Sequence, residues 1–578
     1  MSFLGVEASL TGRSWVGPDL ETERAAQSIQ QETDLPPAVC QILARRGIPA
    51  AKANGYLAPA LRDLMPDPRS LKDTEVAAKR FLEAALSRQR IAVFADYDVD
   101  GGSSAALLLN WLHQFGHDAT LYVPDRIDEG YGPNEAAMSE LARSHDLIVC
   151  VDCGTLSHGP ISSAKGADVI VLDHHLSTET LPPAFAVVNP NRQDESGALA
   201  HLCAAAVVFL VLVEVRRQLR EMGKDSPDLI GMLDLVALAT VADVAPLVGV
   251  NRAFVRQGLA VMARRDRIGL MALADVAGLD TAPTAYHLGY VLGPRINAGG
   301  RVGAADLGAR LLACRNQHEA QALAERLEEL NRERRDIESS VRAAAMAQAE
   351  ERGLDRALVW AAGPAWHPGV VGIVASRLKE SSGRPSIVIG VQDGIGKGSG
   401  RSISGVDLGQ PIQRLASEGL LLKGGGHKMA AGLTVEETKI EPAMQRLNEL
   451  LEKQGAHMRG AADLKVDGLL MVPAATVELV EMMEQAGPFG ASSPAPRFVF
   501  ADCAIRYAKR VGDSHLKVSI GSDAGQIDAI CFGAYDTQLG AALENHGGAR
   551  FHIAGRLEIN TWRGRRTAQL RIEDAAQA

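Results

Sequence analysis

The sequence predicts an α/β protein with a parallel-sheet core, a long connecting helix, a second α/β domain and a small C-terminal β-barrel. Three observations lead to this prediction. Between residues 91 and 188, short β-rich runs alternate with helical stretches, which is typical of a parallel sheet buried on both faces. Residues 316–351 contain neither Gly nor Pro and predict one helix. Residues 459–578 carry five β-rich runs.

Composition excludes several classes of protein. The 578 residues are 46% hydrophobic and 22% charged, as in a soluble folded protein of several domains. The longest apolar run, 202–213, is shorter than the about 20 residues that cross a bilayer. The chain begins without a basic, then apolar, leader, and its seven cysteines are few, so we expect a cytoplasmic protein. With a net charge of −10, nucleic-acid binding requires local basic patches.

The first two predicted regions are residues 1–80 and residues 81–250. The first is mostly helical, with breaks at its prolines, and shows no catalytic pattern. In the second, the helical stretches lie between the β-rich runs, so that the strands can align in parallel. Its expected strands are 91–95, 119–123, 147–151, 169–172 and 186–188, and its expected helices are 103–115, 134–143, 198–222 and 229–242.

The third region, 251–352, ends in the long helix. Its apolar residues recur at steps of three and four, interrupted only by Arg334, and so form one seam. A coiled-coil dimer is the alternative, but a helix that connects two domains fits better because globular sequence lies on both sides. The seam comprises Ala320, Leu323, Leu327, Leu330, Ile337, Val341 and Ala344.

The last two regions are 353–458 and 459–578. The former returns to an α/β pattern with many glycines. The latter places five short strands around a helical spacer, which suggests a five-stranded barrel of the oligonucleotide-binding type. The expected strands there are 498–507, 516–520, 527–532, 551–559 and 567–572.

Acidic and imidazole side chains follow the predicted core strands. Asp98 and Asp100 come after the first strand, and in extended backbone positions i and i+2 share a face. Asp152 closes 147–151, and Asp173-His174-His175 closes 169–172. The carboxyl ends of parallel strands meet at one edge, where ligands bind. Asp243, at the end of an apolar helix, supplies a further carboxylate.

This set of side chains predicts a site for divalent cations. A cation relieves the repulsion among clustered carboxylates, and a mixed carboxylate and imidazole set suits Mn²⁺, with Mg²⁺ next. Two such ions can promote phosphoester hydrolysis. Cys150 and Cys153 form a CxxC pair, but an offset of three on a strand predicts opposite faces. Without a second pair, we do not expect zinc.

These motifs, in this order, resemble those of the DHH phosphoesterase superfamily, named for the triplet present here at Asp173. Four further segments resemble the RecJ-type exonucleases within it: 293–301, 366–372, 398–402 with the sequence Gly-Ser-Gly-Arg-Ser, and 424–432, which begins Gly-Gly-Gly-His-Lys. The resemblance implies a DHH catalytic core at 81–250, a helical region at 251–352, a DHHA1-like substrate-binding domain at 353–458 and an OB-like single-strand-binding domain at 459–578.

The resemblance also implies roles for individual residues. Some superfamily members carry a His at the position of Phe94, so Asp96 or water would complete the ligands of a second ion. The catalytic residues would be Asp100 and His175, with His175 beside the reacting phosphate as a general acid or base. The implied metal ligands are Asp98, Asp100, Asp152, His174 and Asp243.

A pocket for the 5′-terminal phosphate is a further expectation. The resemblance assigns it Arg126, Ser399 and Arg401, with Arg295 and His427 along the substrate path. Arginine suits this role because its planar guanidinium matches phosphate geometry.

The C-terminal region has two basic stretches. Residues 497–517 carry five Lys or Arg against two acids, and residues 550–571 carry six Arg against one acid. Aromatic residues interleave with them, as single-strand binding requires. We expect Trp562, with Arg563 and Arg565, to contact the strand from a loop.

Together with this resemblance, the motifs and the basic C-terminal stretches imply an exonuclease that needs Mn²⁺ or Mg²⁺, with two ions bound. The resemblance further implies that it degrades single-stranded DNA from the 5′ end to mononucleotides in repair and recombination. An alternative is a nuclease or phosphatase for very short oligonucleotides, and another is a non-catalytic binding module. Expected partners are single-stranded DNA, a helicase and a single-strand-binding protein. We expect a monomer without membrane contact.

Overall fold

The computed structural model describes residues 2–125, 129–456, 463–522 and 525–578. These residues form two compact units. One unit combines residues 2–63 with 463–578, and the other comprises residues 64–456. None of the helices in the described ranges combines the length and the apolar character that a membrane crossing requires.

The N-terminal segment is mostly helical, as expected, but it does not form a separate region. Its helices pack their apolar faces, including Ile29 and Leu43, on Leu479 and Phe498 of the C-terminal segment. Asp19 begins the first helix by accepting the N–H of Thr22. The elements are β1 (Trp15–Val16), α1 (Leu20–Glu32), α2 (Pro37–Arg45), α3 (Ala53–Leu57) and α4 (Leu61–Leu64).

The core contains the predicted parallel sheet. Its strand order is β3-β2-β4-β5-β6, and all four pairings are parallel. Every residue of β2 and β4 is buried, in agreement with their continuous apolar runs. The elements are α5 (Thr74–Leu86), β2 (Ile91–Ala95), α6 (Val99–Gln114), β3 (Thr120–Tyr122), α7 (Glu135–Ser144), β4 (Leu147–Val151), α8 (His158–Ser163), β5 (Asp168–Leu172), β6 (Ala186–Val188) and α9 (Ala204–Glu221).

Helices follow the core up to residue 352. A π-helical turn, His287–Leu292, leads directly into α13. The helices are α10 (Leu233–Ala242), α11 (Gly249–Met262), α12 (Ile268–Val276), α13 (Gly293–Val302), α14 (Leu307–Ala313) and α15 (Gln317–Arg352).

The second α/β part is a mixed sheet of order β10-β11-β9-β8-β7. Close packing requires glycines in strand β9. A Cβ on Gly398 would lie 3.0 Å from Leu433, and one on Gly400 would lie 2.7 Å from Leu408, so larger residues would clash there. The alternate residues Ser399 and Arg401 therefore face the other side of the sheet. The elements are β7 (Val359–Pro364), α16 (Pro368–Ser382), β8 (Ser386–Gln392), β9 (Ile395–Arg401), α17 (Gly409–Ser417), β10 (Lys423–His427), β11 (Ala430–Glu436) and α18 (Ile440–Glu452).

Helix α15 packs along its length within its own unit. Its first half contacts α12, α13 and α14, and its second half contacts β7 and α16. The predicted seam is buried at Leu327 and Val341, but Ala344 is exposed and its neighbour Ala345 is buried instead. Arg334 is buried on the seam, where it pairs with Glu338 at 2.6 Å. The chain's own elements therefore cover this helix, as a connecting helix requires.

The C-terminal segment contains the predicted barrel. Strands run in the order β13-β14-β15-β16-β18-β17, and pairing of β14 with β17 closes the five long strands into a barrel with α20 as the spacer. Short strands β1 and β12 pair in parallel. The elements are β12 (Leu464–Lys465), β13 (Gly468–Leu469), α19 (Val477–Glu484), β14 (Phe498–Val511), β15 (His515–Ser522), β16 (Gly525–Cys531), α20 (Gln538–Glu544), β17 (Arg550–Trp562) and β18 (Arg565–Gln577).

Candidate metal centre and substrate cavity

Strand register brings the acidic residues of the core to one edge. Ala95 pairs with Val151, and Val151 pairs with Leu172, so β2, β4 and β5 end side by side. Asp96, Asp152 and Asp173 come directly after these ends. The alignment follows from parallel pairing of three buried apolar runs, and it places the carboxylates together as the sequence predicts.

The expectation that Asp98 and Asp100 share a face in extended backbone is wrong. Asp98 caps α6, where its Oδ1 accepts the N–H groups of Asp100 and Gly101 at 2.9 and 3.1 Å. Asp100 lies in the first turn of that helix, and its carboxylate accepts the N–H groups of Ala204 and Ala205 at the start of α9. The helix begins one residue after Asp98, so the two side chains join different groups of ligands.

Among the described residues, three overlapping groups of side chains could each hold a metal ion, with their ligand atoms within 4.8 Å of one another. His174 is central, since its Nε2 lies 3.2 Å from Asp152 Oδ1 and 3.8 Å from Asp100 Oδ2. Its Nδ1 lies 3.9 Å from Asp243 Oδ2. The groups are Asp100, His174 and Asp243; Asp152, His174 and His175; and Asp96, Asp98 and Asp152.

The raised pKa values of these carboxyl groups indicate a site for a divalent cation. Burial, followed by the charge of Asp100, raises the pKa of Asp243 to about 8. Burial likewise raises the pKa of Asp100 and of Asp152, and the neighbouring carboxylates add to the effect at Asp152. Asp152 Oδ1 is buried and accepts no hydrogen bond from the described residues. A cation would compensate this charge, and the carboxylate and imidazole donors suit Mn²⁺ or Mg²⁺.

Asp173 holds the two histidines in place. Its Oδ1 accepts the N–H of His174 at 2.7 Å and lies 2.8 Å from His175 Nδ1, while Oδ2 accepts the N–H of Thr155. Burial opposes a charge on His175, but the hydrogen bond and the charge of Asp173 outweigh it and raise the pKa of His175 to about 9. Asp173 is thus a positioning residue for His175.

Tyr131 is a residue of the site that the sequence analysis did not single out. Its hydroxyl donates to the backbone oxygen of Asp152 at 3.2 Å and lies 3.1 Å from His175 Nε2. The feature of the sequence that could have identified Tyr131 was its place between Gly130 and Gly132, a few residues after Arg126.

A cavity of about 400 Å³ lies beside the predicted metal ligands, within the unit of residues 64–456. Ser399 and Arg401 line it together with Asp98, Asp100 and Asp243. Arg401 Nη1 donates to Ser399 Oγ at 2.9 Å, which orients both groups. Gly372 leaves room for them, since a Cβ there would lie 3.1 Å from Arg401 Nη2. Further lining residues, which the sequence analysis did not assign, include Asn297 and Arg301.

Two residues that were predicted along the substrate path, Arg295 and His427, lie outside this cavity. Arg295 pairs with Glu328 at 2.6 Å and donates to the backbone oxygen of Val291, and it does not line the cavity. His427 ends strand β10, is exposed and also does not line it. Arg126, which was predicted for the phosphate pocket together with Ser399 and Arg401, falls outside the described residues.

The prediction that Cys150 and Cys153 lie on opposite faces is wrong. Cys150 and Cys153 are buried in the same apolar cluster and do not lie on opposite faces. The cause is Asp152, whose φ of +59° turns the chain out of the strand before Cys153. Neither thiol belongs to a metal-binding group within the described part of the chain.

The predicted strand-binding residues lie at the tip of the β17–β18 hairpin. Trp562 is the last residue of β17, paired with Arg565, and is 70% exposed, so it does not lie in a loop as expected. The two-residue turn consists of Arg563 and Gly564, both with positive φ, as tight hairpins require. The Arg563 guanidinium lies 5.7 Å from the Trp562 ring centroid.

Three family models match the chain. The DHH family N-terminal domain matches residues 90–240, the DHHA1 domain matches residues 355–453, and the RecJ OB domain matches residues 466–574. Together they cover the parallel sheet with its acidic edge, the mixed sheet and the barrel.

Sequence and structure relatives agree with these matches. The chain is 38% identical over 571 residues to the single-stranded-DNA-specific exonuclease RecJ of Dickeya dadantii, covering 94% of this chain and 97% of that protein. It is similar to the crystal structure of Thermus thermophilus RecJ in complex with Mn²⁺, with 28% identity, a TM-score of 0.80 and coverage of 97% and 79% of the two chains. For the Mg²⁺ complex of that protein, the identity is 27%, the TM-score 0.75 and the coverage 98% and 78%.

Proposed function

This chain belongs to the RecJ family of the DHH superfamily, and from that premise we propose that it degrades single-stranded DNA from the 5′ end to mononucleotides in a reaction that depends on Mn²⁺ or Mg²⁺. One observation carries the proposal. Asp100 and Asp243, which meet at His174, line the same cavity as Ser399 and Arg401. A centre for hydrolysis and a site for a phosphate group are thus adjacent.

The residues that would hold the metal are the five predicted ligands together with Asp96. Asp100, His174 and Asp243 form one group, and Asp98 and Asp152 join Asp96 in another, which supports a pair of ions. When bound, such ions activate water and stabilise negative charge on the phosphate. Phe94, buried and stacked on Tyr122, supplies no ligand, so Asp96 takes the role that the sequence left open.

His175 is the proposed acid or base. Asp173 fixes its Nδ1, which leaves Nε2 on the side of Tyr131. Hydrolysis adds water to the phosphorus and breaks the bond to the 3′ oxygen of the terminal nucleotide, and that oxygen takes a proton. Nε2 can hold or deliver this proton. The shortened strand again ends in a 5′-phosphate.

Ser399 and Arg401 are the proposed ligands of the 5′-terminal phosphate. The hydrogen bond between them presents a guanidinium and a hydroxyl to the cavity. A charged fork of this kind favours a phosphorylated end. This arrangement supports attack from the 5′ end, since it places the terminal phosphate next to the reacting one.

Digestion of end-labelled strands tests the function. Strands of DNA and RNA labelled at either end should be compared across a series of Mn²⁺, Mg²⁺ and chelator. We expect a 5′-labelled DNA strand to release labelled mononucleotide only with metal. Release from the 3′ end alone would contradict the polarity, and cleavage of dinucleotides without cleavage of 50-mers would favour the short-oligonucleotide enzyme.

We further propose a cytoplasmic monomer that acts in DNA repair and recombination with a helicase and a single-strand-binding protein. Seven free cysteine thiols support a reducing compartment. The burial of the α15 seam by the chain's own helices supports a monomer over a coiled-coil dimer. The exposed Trp562 hairpin supports additional contacts with the strand.

A further inference from the structure

Two tyrosine rings lie exposed and stacked on each other outside the catalytic centre. Tyr286 and Tyr290 are 60% and 73% exposed, with ring centroids 5.1 Å apart and an interplanar angle of 22°. We call them the tyrosine pair. Adjacent exposed aromatic rings are characteristic of binding surfaces, because the contact of their apolar faces with water is unfavourable.

The backbone under the tyrosine pair is held by specific contacts. Tyr290 lies in the π-helical turn His287–Leu292, a rare conformation that is frequent at functional sites. Arg295 Nη1 donates to the backbone oxygen of Val291 at 2.7 Å, while its Nε pairs with Glu328. The N–H of Thr284 donates to His287 Nδ1. Hydrogen bonds therefore hold the turn both before and after Tyr290 in the sequence.

This turn packs against the end of α10 at the rim of the cavity. A Cβ placed on Gly289 would lie 3.4 Å from Val241 Cγ1, and one placed on Gly293 would lie 3.4 Å from Ala242 Cβ. Ala242 itself lines the cavity, as does Val244, whose side chain is exposed. The turn that carries Tyr290 thus adjoins residues that line the cavity.

We propose that the tyrosine pair is a stacking platform for a nucleobase of the single strand as it leaves the catalytic cavity. The inference rests on the proposed function, because it takes the occupant to be the strand whose phosphate reacts in that cavity. Aromatic faces bind every base in the same way, so such a platform suits a nuclease without sequence preference.

The geometry assigns the larger role to Tyr290. The two rings already stack on each other, so a base stacks on an outer face of the pair. Tyr290 is the more exposed of the two and is the one that Arg295 braces. Tyr286 stacks on the opposite face of the Tyr290 ring. Arg295 thereby becomes a positioning residue for the platform.

Equilibrium binding without divalent metal tests the platform. The probes are 15-nucleotide thymidylate strands that carry one 2-aminopurine at successive positions from the 5′ end, and matched strands with an abasic site instead. Tyr290→Ala should raise the Kd on the order of tenfold and remove the fluorescence quenching at one position. Tyr290→Phe should retain both. Phe185→Ala, at an exposed aromatic near the amino end of β6, is the matched control and should change neither.

The abasic strands separate stacking from other contacts. If the platform binds a base, an abasic site at the quenched position should weaken binding to the wild-type protein but hardly to Tyr290→Ala. Equal losses for both proteins, or an unchanged Kd in Tyr290→Ala, would overturn the proposal.

Hydrolysis of the same strands with Mn²⁺ separates the two proposals. A wild-type protein that binds and quenches but does not hydrolyse would refute the proposed function and leave the platform standing. A wild-type protein that hydrolyses, with the same KM in Tyr290→Ala, would refute the platform alone.

Discussion

His174 is the residue around which the candidate metal site is arranged. One imidazole lies between three carboxylates that come from different elements, with Asp152 nearest at 3.2 Å. Asp100 has a second role, since it also accepts two backbone N–H groups of α9. Replacing Asp100 would therefore combine the loss of a ligand with the loss of a helix cap. Asp243 has no such second role among the described contacts, so it is the better residue for a test.

Asp243→Asn should lower kcat/KM at least about 100-fold, because even residues that only orient metal ligands contribute 10- to 100-fold. The exposed Asp118→Asn is the control. Digestion of a 5′-labelled strand measures the rate, and calorimetric titration measures Mn²⁺ affinity. Unchanged Mn²⁺ affinity together with unchanged turnover would contradict the assignment of Asp243.

The pKa values predict how pH affects the metal-free protein. The pKa of Asp243 is about 8 in the folded protein, whereas an unfolded aspartate ionises near about 4. The folded state thus retains a proton that the unfolded chain releases, and the free energy of unfolding should fall as pH rises from about 4 to about 8.

Thermal unfolding in chelator between pH 5 and 8.5 measures this effect. The melting temperature should fall with pH, less steeply in Asp243→Asn, and Mn²⁺ should restore it most at high pH. Equal slopes for the wild type and Asp243→Asn would show that Asp243 does not carry the effect.

Arg401→Ala should reduce the preference for a 5′-phosphorylated strand about tenfold or more, since a charge-assisted hydrogen bond contributes about 1.5–3 kcal/mol. The ratio of kcat/KM for phosphorylated and unphosphorylated strands measures it. Arg414→Ala, at an exposed arginine of the same sheet domain, should leave the ratio unchanged. The same ratio in Arg401→Ala as in the wild type would exclude Arg401 from the pocket.

Helix α15 is the element that joins the two α/β parts of the larger unit. Glutamates of α15 form ion pairs on both sides of this junction. Glu328 pairs with Arg295 on α13, and Glu338 lies 3.8 Å from Arg377 on α16, next to the mixed sheet. The pair Arg334–Glu338 is largely buried, and burial raises the energetic cost of losing either partner.

Glu338→Gln should lower the free energy of unfolding of this unit by about 3 kcal/mol, because it leaves the Arg334 charge buried without its carboxylate. Glu333→Gln, at an exposed position of the same helix, should have little effect. Denaturant-induced unfolding followed by circular dichroism compares the two. Similar small losses in both variants would mean that solvent already screens the Arg334 charge.

At the scale of the whole molecule, the two ends of the chain fold together. Trp15 is fully buried, and its indole N–H donates to Asp574 at 2.9 Å. Ile29 and Leu43 pack with Phe498 in one apolar cluster. The N-terminal segment therefore depends on the C-terminal segment for much of its core.

Removal of residues 460–578 alone should expose these apolar faces and cause aggregation, whereas removal of residues 1–63 as well should give a soluble, folded fragment 64–459. Size-exclusion chromatography and thermal unfolding of fragments 1–459 and 64–459 compare them. A monodisperse fragment 1–459 would show that residues 1–63 are stable without their C-terminal partner.

The sequence was sufficient to predict the strands of the core, the clustering of acidic and imidazole side chains at their carboxyl ends, and the barrel. These features follow from local patterns: the apolar runs of β2, β4 and β5 predict parallel pairing, and parallel pairing brings Asp152 and His174 to one edge. The sequence showed Arg334 only as an interruption of the α15 seam, and its burial there is a finding of the structure.

Three features became known only from the folded structure. They are the carboxylates that belong to the same candidate metal group, the direction of the two cysteine side chains, and the part of the chain on which the N-terminal segment packs. Asp98 and Asp100 separate because α6 begins between them, and Cys150 and Cys153 share a side because Asp152 adopts a positive φ. The burial of Trp15 against Asp574 joins residues more than 500 positions apart. Such contacts leave no local periodicity, because the partners that fix them are brought near only by the folded chain.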